Sequence, residues 1–141
     1  MRRTIVLVSC VKDKQKVPSP AQYLYTSPLF KKMSAYARKF GDEWYILSAK
    51  YGLVHPDEII APYNDTLKEK AQSQKIEWAG AVFSKLSEVL RPGDTVIILA
   101  GLEYRKFLLK PIEEIGCQVR VPMEHLKIGE QLHWLDKQLA S

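Results

Sequence analysis

Cysteine is scarce in this chain. Of 141 residues only Cys10 and Cys117 carry thiols, and they show no C-x-x-C spacing. Two isolated cysteines cannot build a metal site unaided, and nothing in their placement points to an oxidising compartment. Long hydrophobic runs are missing as well. The apolar run from Thr4 to Val8 spans about five residues before Ser9, with Lys12 and Asp13 close behind. That is too short for a signal-peptide core, and no other run approaches the length of a membrane span. Four chemical signatures are absent: G-x-G-x-x-G, the Walker A loop, zinc-ligand spacing and G-x-S-x-G. Their absence argues against nicotinamide dehydrogenases, P-loop ATPases, zinc hydrolases and lipase-like enzymes. The expectation is a cytoplasmic protein with no metal, no cofactor and no membrane association.

What is present fits an ordinary globular chain. Hydrophobic residues make up 46% and charged residues 26%, a balance typical of folded domains. The length suits one domain over residues 1–141 with a substantial core. The formal charge of +5 leans basic. Such a bias favours nucleic acid or a phosphorylated ligand; a lysine-rich solvated surface explains it equally well.

Along the chain, strand and helix signals alternate. Thr4–Val8 reads as a strand covered on both faces. Ser27-Pro28 supplies an N-cap and an N1 proline, Leu29, Met33 and Ala37 follow at helical spacing, and Gly41 closes the helix. Trp44–Leu47 is a second strand. Thr66, with Glu69 three residues on, reads as the cap of a helix whose core face is Ile76, Ala79, Phe83, Leu86 and Leu90. Pro92-Gly93-Asp94 is a turn before a third strand, Thr95–Ala100. Helical signals cover Glu103–Ile115, interrupted or restarted at Pro111. Gln118–Val121 alternates as an edge strand would, and Ile128, Leu132, Leu135 and Leu139 stripe a closing helix. This pattern predicts an α/β fold, a three-layer α/β/α sandwich on a four-stranded parallel sheet of order 2-1-3-4. In such sheets ligands bind beyond the carboxyl ends of the strands, where neighbouring strands diverge.

Four strand exits should therefore share one rim: "SCVKDKQK" from Ser9, "SAKYGL" from Ser48, "AGLEYRK" from Ala100 and "PMEHLKIGE" from Pro122. Small residues beside polar ones suit a small-molecule site. Ser9 and Cys10 end the first strand and should line the crevice. Cys10 as a nucleophile needs a base, and no histidine has the spacing to supply one, so a packed thiol is the favoured reading. Ser48 and Lys50 stand out in the unusual Ser-Ala-Lys-Tyr-Gly stretch, with Lys50 as a phosphate or carboxylate contact. Lys12 is either a similar contact or a solvated neighbour of Lys14 and Lys16. Tyr25, Tyr51, Tyr63 and Tyr104 fall in or beside the loops, where each can stack on a flat ring or cap the core. Asp65 and Glu124 are the acids placed for general base work. Gly101 marks the third exit. Gly129 opens the last helix, either to offer amides to an anion or as a plain helix-start glycine.

The blocks "SCVKDKQKVPSPAQYLYTSPLF", "WYILSAKYGL", "PDEIIAPYNDTL" and "IGEQLHWL" resemble a family of small bacterial and phage proteins of uncharacterised activity. The loop after the first strand is distantly similar to that of the YaaA peroxide-stress proteins and to the core domain of archaeosine synthase-type enzymes. Uracil-DNA-glycosylase-like folds also use a sheet of order 2-1-3-4. The resemblance implies a nucleobase, nucleoside, nucleotide or nucleic-acid partner and an enzyme of N-glycosidic cleavage or base modification. The rival expectation is a noncatalytic module binding nucleic acid or nucleotide.

Overall fold

The computed structural model describes residues 2–9 and 13–141; the expectations placed on Cys10 and Lys12 lie outside them. The described residues form seven strands and six helices: β1 (Thr4–Ser9), β2 (Ser19–Pro20), α1 (Ala21–Leu24), α2 (Pro28–Phe40), β3 (Glu43–Ser48), β4 (Gly52–Val54), β5 (Ile59–Ile60), α3 (Gln72–Leu86), β6 (Thr95–Leu99), α4 (Leu102–Arg105), α5 (Leu109–Ile115), β7 (Gln118–Arg120) and α6 (Ile128–Ala140).

The main sheet has five strands in the order β4-β3-β1-β6-β7, which corrects the expected four-stranded sheet. β3, β1, β6 and β7 run parallel, and β4 pairs antiparallel outside β3. The extra strand comes from the Ser48–Gly52 turn. Gly52 sits at φ +74°, a conformation glycine adopts without steric cost, so the chain doubles back and pairs Ser48 with Gly52. β2 and β5 form a separate two-stranded ribbon.

Alternate residues of β1 enter two cores, as the period-2 side-chain pattern of a strand requires. Val6 and Val8 pack with residues of α1, α2 and α6, including Leu24, Phe30, Met33 and Leu135. Ile5 and Leu7 pack on the other face with Val82 and Leu86 of α3 and Ile112 of α5. Helices thus cover both faces. α2 begins as its sequence predicts, with the Ser27 hydroxyl accepting from the Phe30 N–H at 3.1 Å. Its closing Gly41 is required by close approach: a Cβ there would lie 2.8 Å from the Ala37 carbonyl oxygen and 3.0 Å from Val6 Cγ2.

Other boundaries move. α3 starts at Gln72, not near Thr66, whose hydroxyl accepts from the Lys68 N–H in a turn. The Gln74 side chain accepts from the Ala71 N–H instead. The buried face of α3 is Ala79, Val82 and Leu86, leaving Ile76 exposed. The break in the third helical region falls at residues 106–108, between α4 and α5. Pro111 sits inside the first turn of α5, where its missing N–H removes no helical bond. In α6 Leu135 is buried but Ile128 is exposed. No helix among the described residues is long and apolar enough to cross a membrane.

Candidate functional site

The parallel register places Ser9 opposite Leu47 and Val8 opposite Leu99, so the exits of β1, β3 and β6 share one rim. From β1 the chain crosses to β3 on one side; it later returns to β6 on the other. The switch point therefore lies between β1 and β6, the position at which open α/β sheets bind ligands. Two cavities open there and share Gly101 and Leu102.

The first cavity, about 450 Å³, is walled by Leu29, Met33, Leu99, Val121 and Met123, with Ser9, Gly101, Arg105, Glu124 and Gln131 contributing polar groups. Arg105 is its unusual member. The residue is only 8% exposed. Its Nη1 donates to the Ala100 carbonyl at 3.0 Å, while its buried Nε has no hydrogen-bond partner among the described residues. Glu124 lines the same cavity but pairs with His125 at 3.2 Å when that imidazole is protonated. The Gln131 amide donates to the Leu126 carbonyl at 2.9 Å.

The second cavity, about 610 Å³, is more polar. Lys14, Asn64, Asp65, Thr66, Lys68, Glu69, Glu103 and Tyr104 surround it. Glu103 accepts from Lys75 at 2.5 Å and from Lys106 at 3.3 Å. The hydrogen bond from Lys75 leads in holding its carboxyl below the usual range. The Tyr104 ring meets Trp78 edge-on, with centroids 5.6 Å apart.

The β3 exit is built differently. The Ser48 hydroxyl donates to the Tyr63 hydroxyl at 2.8 Å and accepts from the Tyr51 N–H at 3.0 Å. Tyr63 and Tyr25 join their hydroxyls at 2.7 Å. The Trp78 indole N–H donates to the Ser48 carbonyl at 2.8 Å. Lys14, paired with Tyr25 in a short β-bridge, lies over the Tyr63 ring at 4.6 Å. This is a buried, mutually satisfied network, the form in which polar groups rigidify a core.

The residues expected at the site thus divide. Ser9, Glu124 and Gly101 line the first cavity, and Asp65, Tyr104 and Gly101 line the second. The two acids proposed for catalysis face different cavities. Ser48 and Tyr25 are buried in the hydroxyl network, and the Tyr25 ring packs against Phe30 at 4.8 Å. Tyr51 is half-buried and donates to the Ala61 carbonyl at 3.2 Å. Lys50 is exposed with its ammonium 5.3 Å from the Tyr51 ring, and it lines neither cavity. Gly129 lies in the first turn of α6 and lines a separate hollow with His133 and Trp134. Cys117 is a free, buried thiol whose pKa burial raises. No group of three metal-ligating side chains occurs among the described residues.

Arg105 is not among the residues that the sequence singles out, and Tyr63 is named there only with three other tyrosines. Arg105 stands in the quoted "AGLEYRK" exit, three residues after Leu102, so one turn of α4 carries it back to the strand end. That position was the available signal. Tyr63 was one tyrosine among four, and only the fold shows that it joins Ser48 to Tyr25.

The model described as a family of unknown function, DUF6884, matches residues 5–137, a span that contains all four strand exits. The chain is also 43% identical over 128 residues to the uncharacterized protein YfjM of Bacillus subtilis (strain 168), covering 85% of this chain and 80% of that protein.

Proposed function

The chain belongs to the DUF6884 family of unknown function, and from that premise we propose that it is an enzyme acting on a nucleobase, nucleoside or nucleotide held at the carboxyl rim of the sheet. The observation that carries this reading is the pair of cavities meeting at Gly101 and Leu102. One offers a polar wall with an aromatic ring and a carboxylate; the other holds a buried cation. A ligand with a flat hydrogen-bonding end and an anionic end matches that division. N-glycosidic cleavage or base modification is the chemistry proposed, in keeping with the distant resemblance of the loop after β1 to nucleic-acid-modifying proteins. Asp65 is the general base in this scheme: it is exposed at the mouth of the second cavity, beside Tyr104 and Lys14. Glu124 orients the ligand from the first cavity. A base inside a duplex must leave the stack before it reaches either cavity.

One observation favours a noncatalytic binder instead: Asp65 and Glu124 line different cavities, so they do not converge on one reacting atom. Turnover separates the readings. A thermal-shift screen of bases, nucleosides, nucleotides and short oligonucleotides should identify a stabilising ligand, and chromatography of the incubated ligand should then reveal a product. Saturable binding without product establishes the binder. No stabilisation by any of these compounds sinks both readings.

A further inference from the structure

The first cavity contains an arginine that folding alone does not explain. Arg105 is over nine-tenths buried, yet among the described residues it has no ion pair, and its Nε has no acceptor. Leaving a buried guanidinium Nε unpaired is costly, because the group has lost water and the bond from Nη1 to the Ala100 carbonyl compensates only in part. Such a group in a native structure calls for an explanation, and a bound ion is one. Elsewhere in the molecule Arg3, more exposed than Arg105, is held by two carboxylates and a carbonyl, so the fold does supply partners where an arginine is structural.

We propose that Arg105 receives a phosphate group of a bound ligand in this cavity. The assignment deepens the nucleotide reading and rests on it for the identity of the rest of the ligand. Nη1 is occupied by the Ala100 carbonyl, which anchors the guanidinium in the wall of the cavity that Arg105 lines. A planar guanidinium fork binds phosphate through parallel charge-assisted hydrogen bonds. Leu99, Val121 and Met123 line the cavity; their apolar surfaces lower the local dielectric and strengthen that contact. Ile128 and Gln131, from the first turn of the 13-residue α6, also line it, adding the positive end of a helix dipole. Glu124 is the one carboxylate among the described residues of the lining. It is exposed, directed to His125, and beyond ion-pair distance of Arg105.

The test uses the full chain and inorganic phosphate, with chloride and acetate at matched ionic strength as controls. Phosphate should raise the melting temperature of the wild type, and the Arg105 Nε–H resonance should shift as phosphate is titrated in. Arg105→Met should weaken phosphate binding at least about tenfold, the loss expected for a charge-assisted hydrogen bond. Arg105→Lys, which keeps the charge without the fork, should fall between. A phosphate response equal in wild type and Arg105→Met overturns the proposal, as does an Nε–H resonance that phosphate leaves unmoved. The resonance decides the matter even where a variant fails to fold. An Arg105-dependent response to acetate as strong as that to phosphate overturns it in favour of a carboxylate ligand. Unphosphorylated nucleosides form a separate arm. If they bind while phosphate does not, the phosphate site fails and the nucleobase reading stands. If phosphate binds through Arg105 and no nucleoside or nucleotide does, the site stands and that reading fails.

Discussion

The two rims of the sheet treat their arginines in opposite ways. At the amino rim, Arg3 precedes β1, Asp94 precedes β6 and Glu43 begins β3. Arg3 donates to Asp94 at 2.8 Å, to Glu43 at 2.5 Å and to the Val89 carbonyl at 2.7 Å. Tyr45 donates to the other oxygen of Glu43 at 2.9 Å, and burial together with that carboxylate pushes its phenol up to about 12. The Arg91 N–H completes Asp94 at 2.9 Å. At the carboxyl rim Arg105 is more deeply buried and has one carbonyl. A closed charge network ties three strand ends together. An open one stores binding capacity. Within the carboxyl rim the same contrast recurs: the β3 exit satisfies its own hydroxyls, while the β6 exit opens into cavities.

The sharpest way to break this contrast is to open the closed rim. Asp94→Ala should cost about 3 kcal/mol in a denaturant melt, because it strips a partly buried arginine of its main partner. The pH dependence should agree. Burial opposes ionisation of Asp94, but hydrogen bonds from Arg3 and Arg91 outweigh it and hold the carboxyl below its ordinary 3.8. A carboxyl depressed in the folded state contributes its full stability above the unfolded value. That contribution is lost as pH falls through the lower folded value. The stability of the wild type should therefore decline below about pH 4, and Asp94→Asn should flatten that part of the curve. An equal decline in Asp94→Asn would show that the network does not act as described.

The hydroxyl network comes next. Tyr63→Phe removes the oxygen that joins Ser48 to Tyr25 and leaves buried groups short of a partner, a loss of about 2 kcal/mol. Phosphate binding should be unchanged, since Tyr63 is outside the first cavity. Impaired phosphate binding by a stable Tyr63→Phe would merge the two exits into one site.

Arg105→Met should change anion-free stability by no more than about 1 kcal/mol, because deleting an ill-paired buried charge offsets the lost bond to Ala100. Chemical denaturation without phosphate measures this. A loss as large as that of Asp94→Ala would make Arg105 structural and erase the difference between the rims. The smallest effect belongs to Lys50→Ala, expected to shift stability by no more than about 0.5 kcal/mol and to bind nucleotides as the wild type does. Weakened binding would return the β3 exit to the site.

Lys50 shows how one local signal admits two readings. Ser-Ala-Lys-Tyr-Gly is an unusual way to leave a strand, and it did mark a special backbone. Its cause is the hairpin into β4, for which Gly52 supplies the positive φ, together with the Ser48 hydroxyl that accepts from the Tyr51 N–H. Local oddity does not distinguish a turn from a ligand loop, because both demand small and hydrogen-bonding residues. Ile76 and Ile128 mislead for a related reason: helical spacing identifies a stripe, but not how much of it the neighbours cover.

The sequence by itself determined the alternation of strands and helices, since buried β-branched runs and capped amphipathic stretches carry their own periods. It also determined that the exits of β1, β3, β6 and β7 share a rim, because parallel strands joined by helical crossovers must begin at one edge and end at the other. Tertiary structure alone decided which exit is closed and which is open. Whether a buried polar atom is satisfied depends on groups far apart in the chain. Asp94 reaches Arg3 across the sheet and Tyr63 reaches Ser48 and Tyr25, while no carboxylate among the described residues reaches Arg105.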